Sequence, residues 1–190
     1  MPAMRDGCGA GAEWAALIAR VGDRLTRAFE EVLGRLRRER AILEGRPGSG
    51  GWSTLEIGDH LVLANHYLLI LLRKLRDKGL ARAQAGAEIE SHAPPLDAIE
   101  KLSSRSLRWV HPDHMGPRDA IDPVQTCLML EQQLDECLSL LASTPKGEGS
   151  LHRIRMSVVG EDKLDLYQYT LVVALHIERH VAQIDRNDAS

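Results

Sequence analysis

The most informative segment of this chain is Leu171-Val-Val-Ala-Leu-His-Ile-Glu-Arg-His180. The five residues before His176 are all apolar, which predicts a helix that is buried on most of its circumference. At 3.6 residues per turn, His176 and His180 are separated by about 40° of rotation, so they share one face of that helix. Two imidazoles on one buried face indicate half of a metal site. Two separately hydrogen-bonded core histidines would fit the same pattern.

A third ligand is predicted on another helix, in the segment Trp52-Ser-Thr-Leu-Glu-Ile-Gly-Asp-His60. Ser53 or Thr54 can cap the free amides of a helix that starts here, and Glu56 stands three residues after Ser53, as in a capping box. Apolar residues follow at helical spacing and mark a core stripe: Ile57, Leu61, Ala64, Leu68 and Leu71 or Leu72. His60 lies on or beside this stripe, so it is expected to face the interior.

Four helical patterns organise the chain, which is predicted to be all-α and to form one domain over residues 1–190. The helices are expected at about 13–43, 54–78, 123–142 and 164–185, and residues 1–11 are expected to be flexible. Gly45 and Pro47 are predicted to end the first helix, and Gly79 to end the second. Asp122 followed by Pro123 predicts the start of the third.

Two connections are too long to be simple turns. Residues 80–121 contain a short predicted helix at 96–107 and the pair His111 and His114, which Pro112 places in a turn or extended segment where histidines are usually solvated. In residues 151–160 apolar and polar side chains alternate in part, and several residues are β-branched. This pattern favours a short extended piece before the fourth helix.

These residues together resemble the DinB-like superfamily of metal-dependent enzymes. The resemblance rests on Trp52-Ser53 followed by His60 on one helix, and on His176-x3-His180 with Arg179 and the pair Gln183-Ile184 on the last helix. It implies a four-helix bundle with a long crossover between the second and third helices. It also implies that His60, His176 and His180 bind one divalent metal ion, either zinc, nickel or iron.

The resemblance further implies a function. Characterised members of the superfamily include thiol-dependent isomerases and S-transferases, so a small-molecule substrate, a low-molecular-weight thiol and a homodimer are expected here. Three histidine ligands leave coordination positions open to a substrate or to water, which would also suit a small-substrate hydrolase. The alternative is a non-catalytic helical bundle whose three-histidine cluster is structural or mediates an interaction.

A zinc protease is rejected on spacing. In that motif a glutamate directly follows the first histidine, whereas Glu178 stands two residues after His176, about 200° around the helix. Asp59 and Glu56 are instead considered as carboxylates that could hydrogen-bond a metal-binding histidine, with surface carboxylates as the alternative.

Composition limits the remaining classes of function. The 190 residues carry a formal charge of −3, with no unbalanced basic stripe, which argues against nucleic acid as the main partner. No apolar run is long enough to predict a membrane span, and no signal sequence is visible, so a cytoplasmic protein is expected. The odd number of cysteines, Cys8, Cys127 and Cys137, favours a reducing compartment and buried, inert thiols.

Overall fold

The computed structural model describes residues 7–48, 50–100, 116–118, 121–156 and 163–189, and most of these are helical. In chain order the helices are α1 (Gly7–Leu36), α2 (Arg40–Glu44), α3 (Thr54–Gln84), α4 (Asp97–Glu100), α5 (Pro123–Ala142) and α6 (Leu166–Asp188). A 3-10 helix at Glu148–Leu151 and two short strands, β1 (Ile154–Arg155) and β2 (Lys163–Leu164), precede α6. The strands are antiparallel, with Ile154 opposite Leu164. The all-α prediction is confirmed.

The four long helices bury one hydrophobic core between them. The periodic apolar residues of α1 all face it: Trp14, Leu17, Val21, Leu25, Phe29, Leu33 and Leu36. Helix α6 is more completely enclosed, since every residue from Tyr169 to Ile177 is buried. This agrees with the apolar run from which the sequence predicted a buried helix.

Contacts between side chains give the relative directions of α1 and α6. Two ion pairs advance together along both helices, Arg24 with Glu178 and Arg35 with Asp185, which makes the two helices parallel. Arg38, just after the end of α1, pairs with Asp188 at the end of α6. Helix α3 runs antiparallel to α6, because the Asn187 Nδ2 near the end of α6 donates to the carbonyl oxygen of Trp52, just before α3.

Helices α3 and α5 are parallel to each other. Gly58 near the start of α3 lies against Thr126 near the start of α5, and Arg73 further along α3 pairs with Glu136 further along α5. Between Gln84 at the end of α3 and Pro123 at the start of α5 the chain has 38 residues.

The first predicted helix, at about 13–43, is in fact two helices. Helix α1 starts earlier, at Gly7, and ends at Leu36, because Glu39 adopts an extended backbone (φ −58°, ψ 141°) before α2 begins. Leu36 and Leu43 are both buried on either side of this break. Their seven-residue spacing fits an unbroken helix, so the apolar periodicity could not reveal the break. Gly45 follows the end of α2, as predicted.

The prediction that Gly79 ends the second helix was wrong, since α3 continues to Gln84. Gly79 is buried, and a β-carbon at this position would lie 2.5 Å from the carbonyl oxygen of Glu148. The residue is therefore a glycine because the 3-10 helix approaches the backbone of α3 closely, rather than because the helix stops.

The last helix begins slightly later than predicted. Lys163 and Leu164 pair with β1, which confirms an extended piece within 151–160, and α6 starts after Asp165. The Asp165 side chain accepts from the Gln168 amide while the Gln168 side chain accepts from the Asp165 amide, which forms a capping box.

Part of the segment between α3 and α5 can be compared with its prediction. Helix α4 covers the start of the short helix expected at 96–107, while residues 101–107, His111 and His114 lie outside the described residues. Residues 7–11, which were expected to be flexible, form the first turns of α1.

Helix α3 is also long and apolar enough, by length and composition, to cross a membrane. In its most apolar stretch 61% of the residues are buried inside the protein, and a core helix of a soluble protein passes the same test. This is weak evidence for a membrane span.

Replacing Gly79 with alanine tests the close approach between α3 and the 3-10 helix. Inside a helix, alanine is more favourable than glycine by about 1 kcal/mol. The clash with the Glu148 carbonyl should outweigh this gain, so Gly79→Ala should lower the free energy of unfolding by about 1–3 kcal/mol, measured by urea denaturation. In the control Gly34→Ala, the new β-carbon meets nothing within 4 Å, and the protein should become more stable. Equal stabilisation by both substitutions would contradict the packing described.

Candidate metal centre

His60 lies in the second turn of α3, and the first turn of that helix is firmly capped. The Ser53 amide donates to Glu56 Oε2 at 2.8 Å, and the Glu56 amide donates to Ser53 Oγ at 3.2 Å, so the predicted capping box is present. Glu56 also forms an ion pair with Arg46. His60 is only 4% exposed, so it faces the interior as predicted.

His176 and His180 follow one another on a single face of α6, with 5% and 8% of their surfaces exposed. Their ring centroids are 4.7 Å apart, and the two Nε2 atoms are 3.2 Å apart. The i, i+4 spacing therefore brings two ring nitrogens to one point, as the sequence predicted.

All three rings converge. The ring centroid of His60 lies 5.4 Å from that of His176 and 4.9 Å from that of His180, and one ligand nitrogen from each ring lies within 4.8 Å of the other two. This confirms the prediction that the three histidines cluster. Among the described residues, no other group of three or more histidine, cysteine or acidic side chains meets the same test.

The spacing of these nitrogens suits a small divalent ion. Ligand nitrogens about 2.1 Å from a tetrahedral ion lie about 3.4 Å from one another. The Nε2 atoms of His176 and His180, at 3.2 Å, already stand close to this separation, and the 4.8 Å limit leaves only a small ring movement for His60. A buried set of three imidazoles is also the donor set that zinc, nickel and iron accept. The residues present therefore fit such an ion.

Gln183 fixes the orientation of one of the rings. Its Oε1 lies 2.9 Å from His180 Nδ1, which must donate because the amide oxygen can only accept. In a neutral ring the proton then resides on Nδ1, and Nε2 presents its lone pair towards His176 and His60. A hydrogen bond of this kind on the far nitrogen orients the ring and prepares a histidine to bind a metal.

Trp52 covers the His60 side of the cluster. Its ring centroid is 4.9 Å from that of His60, with the two planes inclined by 46°. The bond from Asn187 Nδ2 to the Trp52 carbonyl, at 3.1 Å, ties this cover to the end of α6. Asn187 was not predicted, because a polar residue in the last turn of a helix is ordinary in sequence.

Burial and neighbouring charges keep His176 neutral. Loss of solvent contact lowers the pKa of His176 well below 6.5, and the nearby His180, His60 and Arg179 lower it further. A neutral imidazole is the form that binds a metal, so burial holds His176 in the charge state of a ligand.

The carboxylates near the cluster have other partners. The Asp59 carboxylate is bound by Arg118, and the Glu56 carboxylate accepts from the Ser53 amide at the helix cap. Neither acid has a described contact with a histidine of the cluster. Glu178 binds Arg24 on α1 through both carboxylate oxygens, at 2.7 and 2.9 Å. Because Glu178 is turned towards α1, it points away from the three rings, in agreement with the rejection of a protease motif.

Two of the three cysteines can be placed. Cys137 is buried, and burial raises the pKa of its thiol to about 12. Cys127 is half-buried, and burial again raises its thiol pKa. Both thiols stay protonated at neutral pH, which agrees with the expectation of inert cysteines.

Arg118 is the contact near the site that the sequence did not indicate. It is the last described residue before 121 in the segment between α3 and α5, and no sequence pattern marks it.

Comparison of the chain with protein-family models, with curated proteins and with solved structures gives no match. The resemblance to the DinB-like superfamily stays a prediction.

The pKa of His176 predicts how the metal-free protein responds to acid. Because the pKa is about 6.5 in the unfolded chain and well below this in the folded protein, only the unfolded state gains a proton as the pH falls below 6.5. In the presence of a chelator, the wild type should lose stability between pH 7 and pH 5 more steeply than His176→Gln, as measured by urea denaturation at each pH. Parallel pH profiles would show that the buried imidazole is not held neutral.

Proposed function

We propose that the chain is a divalent-metal-dependent enzyme of the DinB-like type. The observation that carries this proposal is the buried convergence of His60, His176 and His180. Its four long helices are taken as a four-helix bundle, with the crossover between α3 and α5. The parallel pairs α1 with α6 and α3 with α5 support this topology, because a bundle with one long crossover has two such pairs.

In this proposal His60, His176 and His180 hold one zinc, nickel or iron ion. Three protein ligands leave at least one position for another molecule. When bound, the ion supplies Lewis acidity, which favours deprotonation of water or of a thiol in an open position. This chemistry suits either a thiol-dependent S-transferase or isomerase, or a hydrolase acting on a small substrate.

The residues of the chain have distinct roles in such a site. Gln183 holds the Nδ1 proton of His180 and so directs Nε2 inward. Trp52 excludes water from one side of His60, and burial keeps His176 neutral. A small-molecule substrate is proposed, in particular a low-molecular-weight thiol, within a cytoplasmic protein that does not use nucleic acid as its main partner.

A second candidate function is a non-catalytic bundle whose histidine cluster is structural. One observation favours it: each of the three histidines is less than 9% exposed, so the rings present little surface to a substrate. A structural site is closed by a fourth protein ligand and contributes directly to folding, whereas a catalytic site keeps an open position. The response of the protein to metal removal distinguishes the two.

Replacing His180 tests the metal site. His180→Ala should remove about one equivalent of bound divalent metal per chain, measured by elemental analysis of the purified protein. Helicity by circular dichroism should stay close to that of the wild type, because four long amphipathic helices supply most of the stability. The control is His66→Ala, which replaces an exposed histidine on α3 and should leave the metal content unchanged.

Chelation of the wild type should give the same result as His180→Ala. A wild type that binds no metal, or equal metal loss from His66→Ala, would contradict the proposal. If the wild type binds metal but unfolds when a chelator removes it, the structural alternative is favoured instead.

Self-association is also predicted, as a homodimer. The apolar stripe of α1 is used within the protomer, so it does not supply the dimer surface. Exposed large apolar side chains lie instead on α3 and α5: Tyr67, Ile70, Val124, Leu128 and Met129. Burial of such side chains favours association, and light scattering should give twice the chain mass of 21.1 kDa. A monomeric mass at micromolar concentration would contradict the prediction.

A further inference from the structure

Asp59, the residue directly before His60, has a fully buried carboxylate. Among its described contacts, Arg118 of the crossover alone neutralises this charge. Its side chain is 0% exposed, while that of Arg118 is 55% exposed. A buried charge is costly unless it is paired and hydrogen-bonded. The pairing with Arg118 is therefore a condition for the packing of this turn of α3.

The pairing is made through several donors at once. The Arg118 amide donates to Asp59 Oδ2 at 2.8 Å, its Nε donates to Oδ1 at 3.1 Å, and its Nη2 donates to Oδ1 at 2.5 Å. The backbone donor holds the crossover itself, and the planar guanidinium restricts the direction of the carboxylate. Together these bonds fix both the position of residue 118 and the rotation of α3 at Asp59.

This restriction matters because the three histidines come from two helices. His176 and His180 are held relative to each other by one helical turn of α6. His60 is carried by α3, so the distance from His60 to the other two rings depends on how the start of α3 is placed. A metal site requires its ligands to be correct to within about 0.5 Å.

We infer that Asp59 and Arg118 are a positioning pair that holds His60 at the distance required for a shared metal ion. The inference rests on the proposed metal-binding function and adds to it that the crossover controls the geometry of the site. Neither residue contacts a histidine of the cluster in the described structure; they act through the backbone of α3.

Cobalt binding by the full-length chain tests this inference, because Co²⁺ replaces zinc and its visible spectrum reports the coordination geometry. Arg118→Ala should weaken the Co²⁺ affinity about tenfold, because a ligand displaced by more than about 0.5 Å binds less well, and should change the cobalt spectrum. Arg118→Lys keeps the charge but lacks the planar guanidinium, so its Co²⁺ affinity should lie between those of the wild type and Arg118→Ala. This variant serves as the test if Arg118→Ala folds poorly.

The matched control is Arg73→Ala. Arg73 also forms a two-bond pair from α3, to Glu136 on α5, but its position is about 20 Å along the helix from His60. This substitution should leave both the Co²⁺ affinity and the cobalt spectrum unchanged. Thermal unfolding of each metal-free variant shows whether a change in affinity merely follows a change in stability.

The double variant Asp59→Asn with Arg118→Ala completes the test. If the two residues act as a pair, removal of Arg118 should matter much less once Asp59 is uncharged, so the two losses of affinity should not add. Full additivity, or a wild-type affinity and spectrum in Arg118→Ala, would overturn the inference while leaving the metal site in place. A wild type that binds no Co²⁺ would overturn both this inference and the proposed function.

Discussion

The packing of this protein is organised around the buried helix α6. Nine consecutive residues, Tyr169 to Ile177, are buried, so the helix has no solvent-facing side along this length. Its neighbours must therefore cover it on every side, and any polar side chain it carries there must find a partner inside the protein. His176 falls within this stretch, and His180 follows one turn later.

The hydroxyls of Tyr167 and Tyr169, near the start of α6, are satisfied by the segment that precedes the helix. The Tyr167 hydroxyl donates to the Thr144 carbonyl at 2.6 Å and accepts from the Gly149 amide at 3.2 Å, and the Tyr169 hydroxyl donates to the Arg155 carbonyl. The 3-10 helix and β1 thus hold the entry of α6, which sets the height of both histidines along the core. Gly79 and Gly149 permit the close contacts of this segment with α3 and α6.

The exposed parts of α6 carry its ion pairs with α1. Glu178 and Asp185 lie on the side of α6 opposite the two histidines. Glu178 binds Arg24, and Asp185 binds Arg35. Such partly exposed pairs contribute about 0–1 kcal/mol each, so they favour one rotation of α6 more than they stabilise the fold. That rotation directs His176 and His180 towards α3.

Much of this arrangement could be predicted from the sequence, because apolar periodicity, caps and histidine spacing are local properties. They gave the four long helices and the inward direction of all three histidines. The break at Glu39 was missed because Leu36 and Leu43 keep a helical spacing across it, and Gly79 was misread because its neighbour is 69 residues away in the chain. Arg118 could not be found for the same reason: its role depends on contact with Asp59, which lies 59 residues earlier.

Crystallographic anomalous scattering at the absorption edge of the bound metal would show directly whether these three histidines hold an ion. We expect a single strong peak per chain, about 2.0–2.2 Å from a ring nitrogen of His60, His176 and His180, with at least one further position not taken by a protein atom. A peak elsewhere in the chain, or a fourth protein ligand that closes the coordination sphere, would contradict the claim that these three histidines form a reactive metal centre.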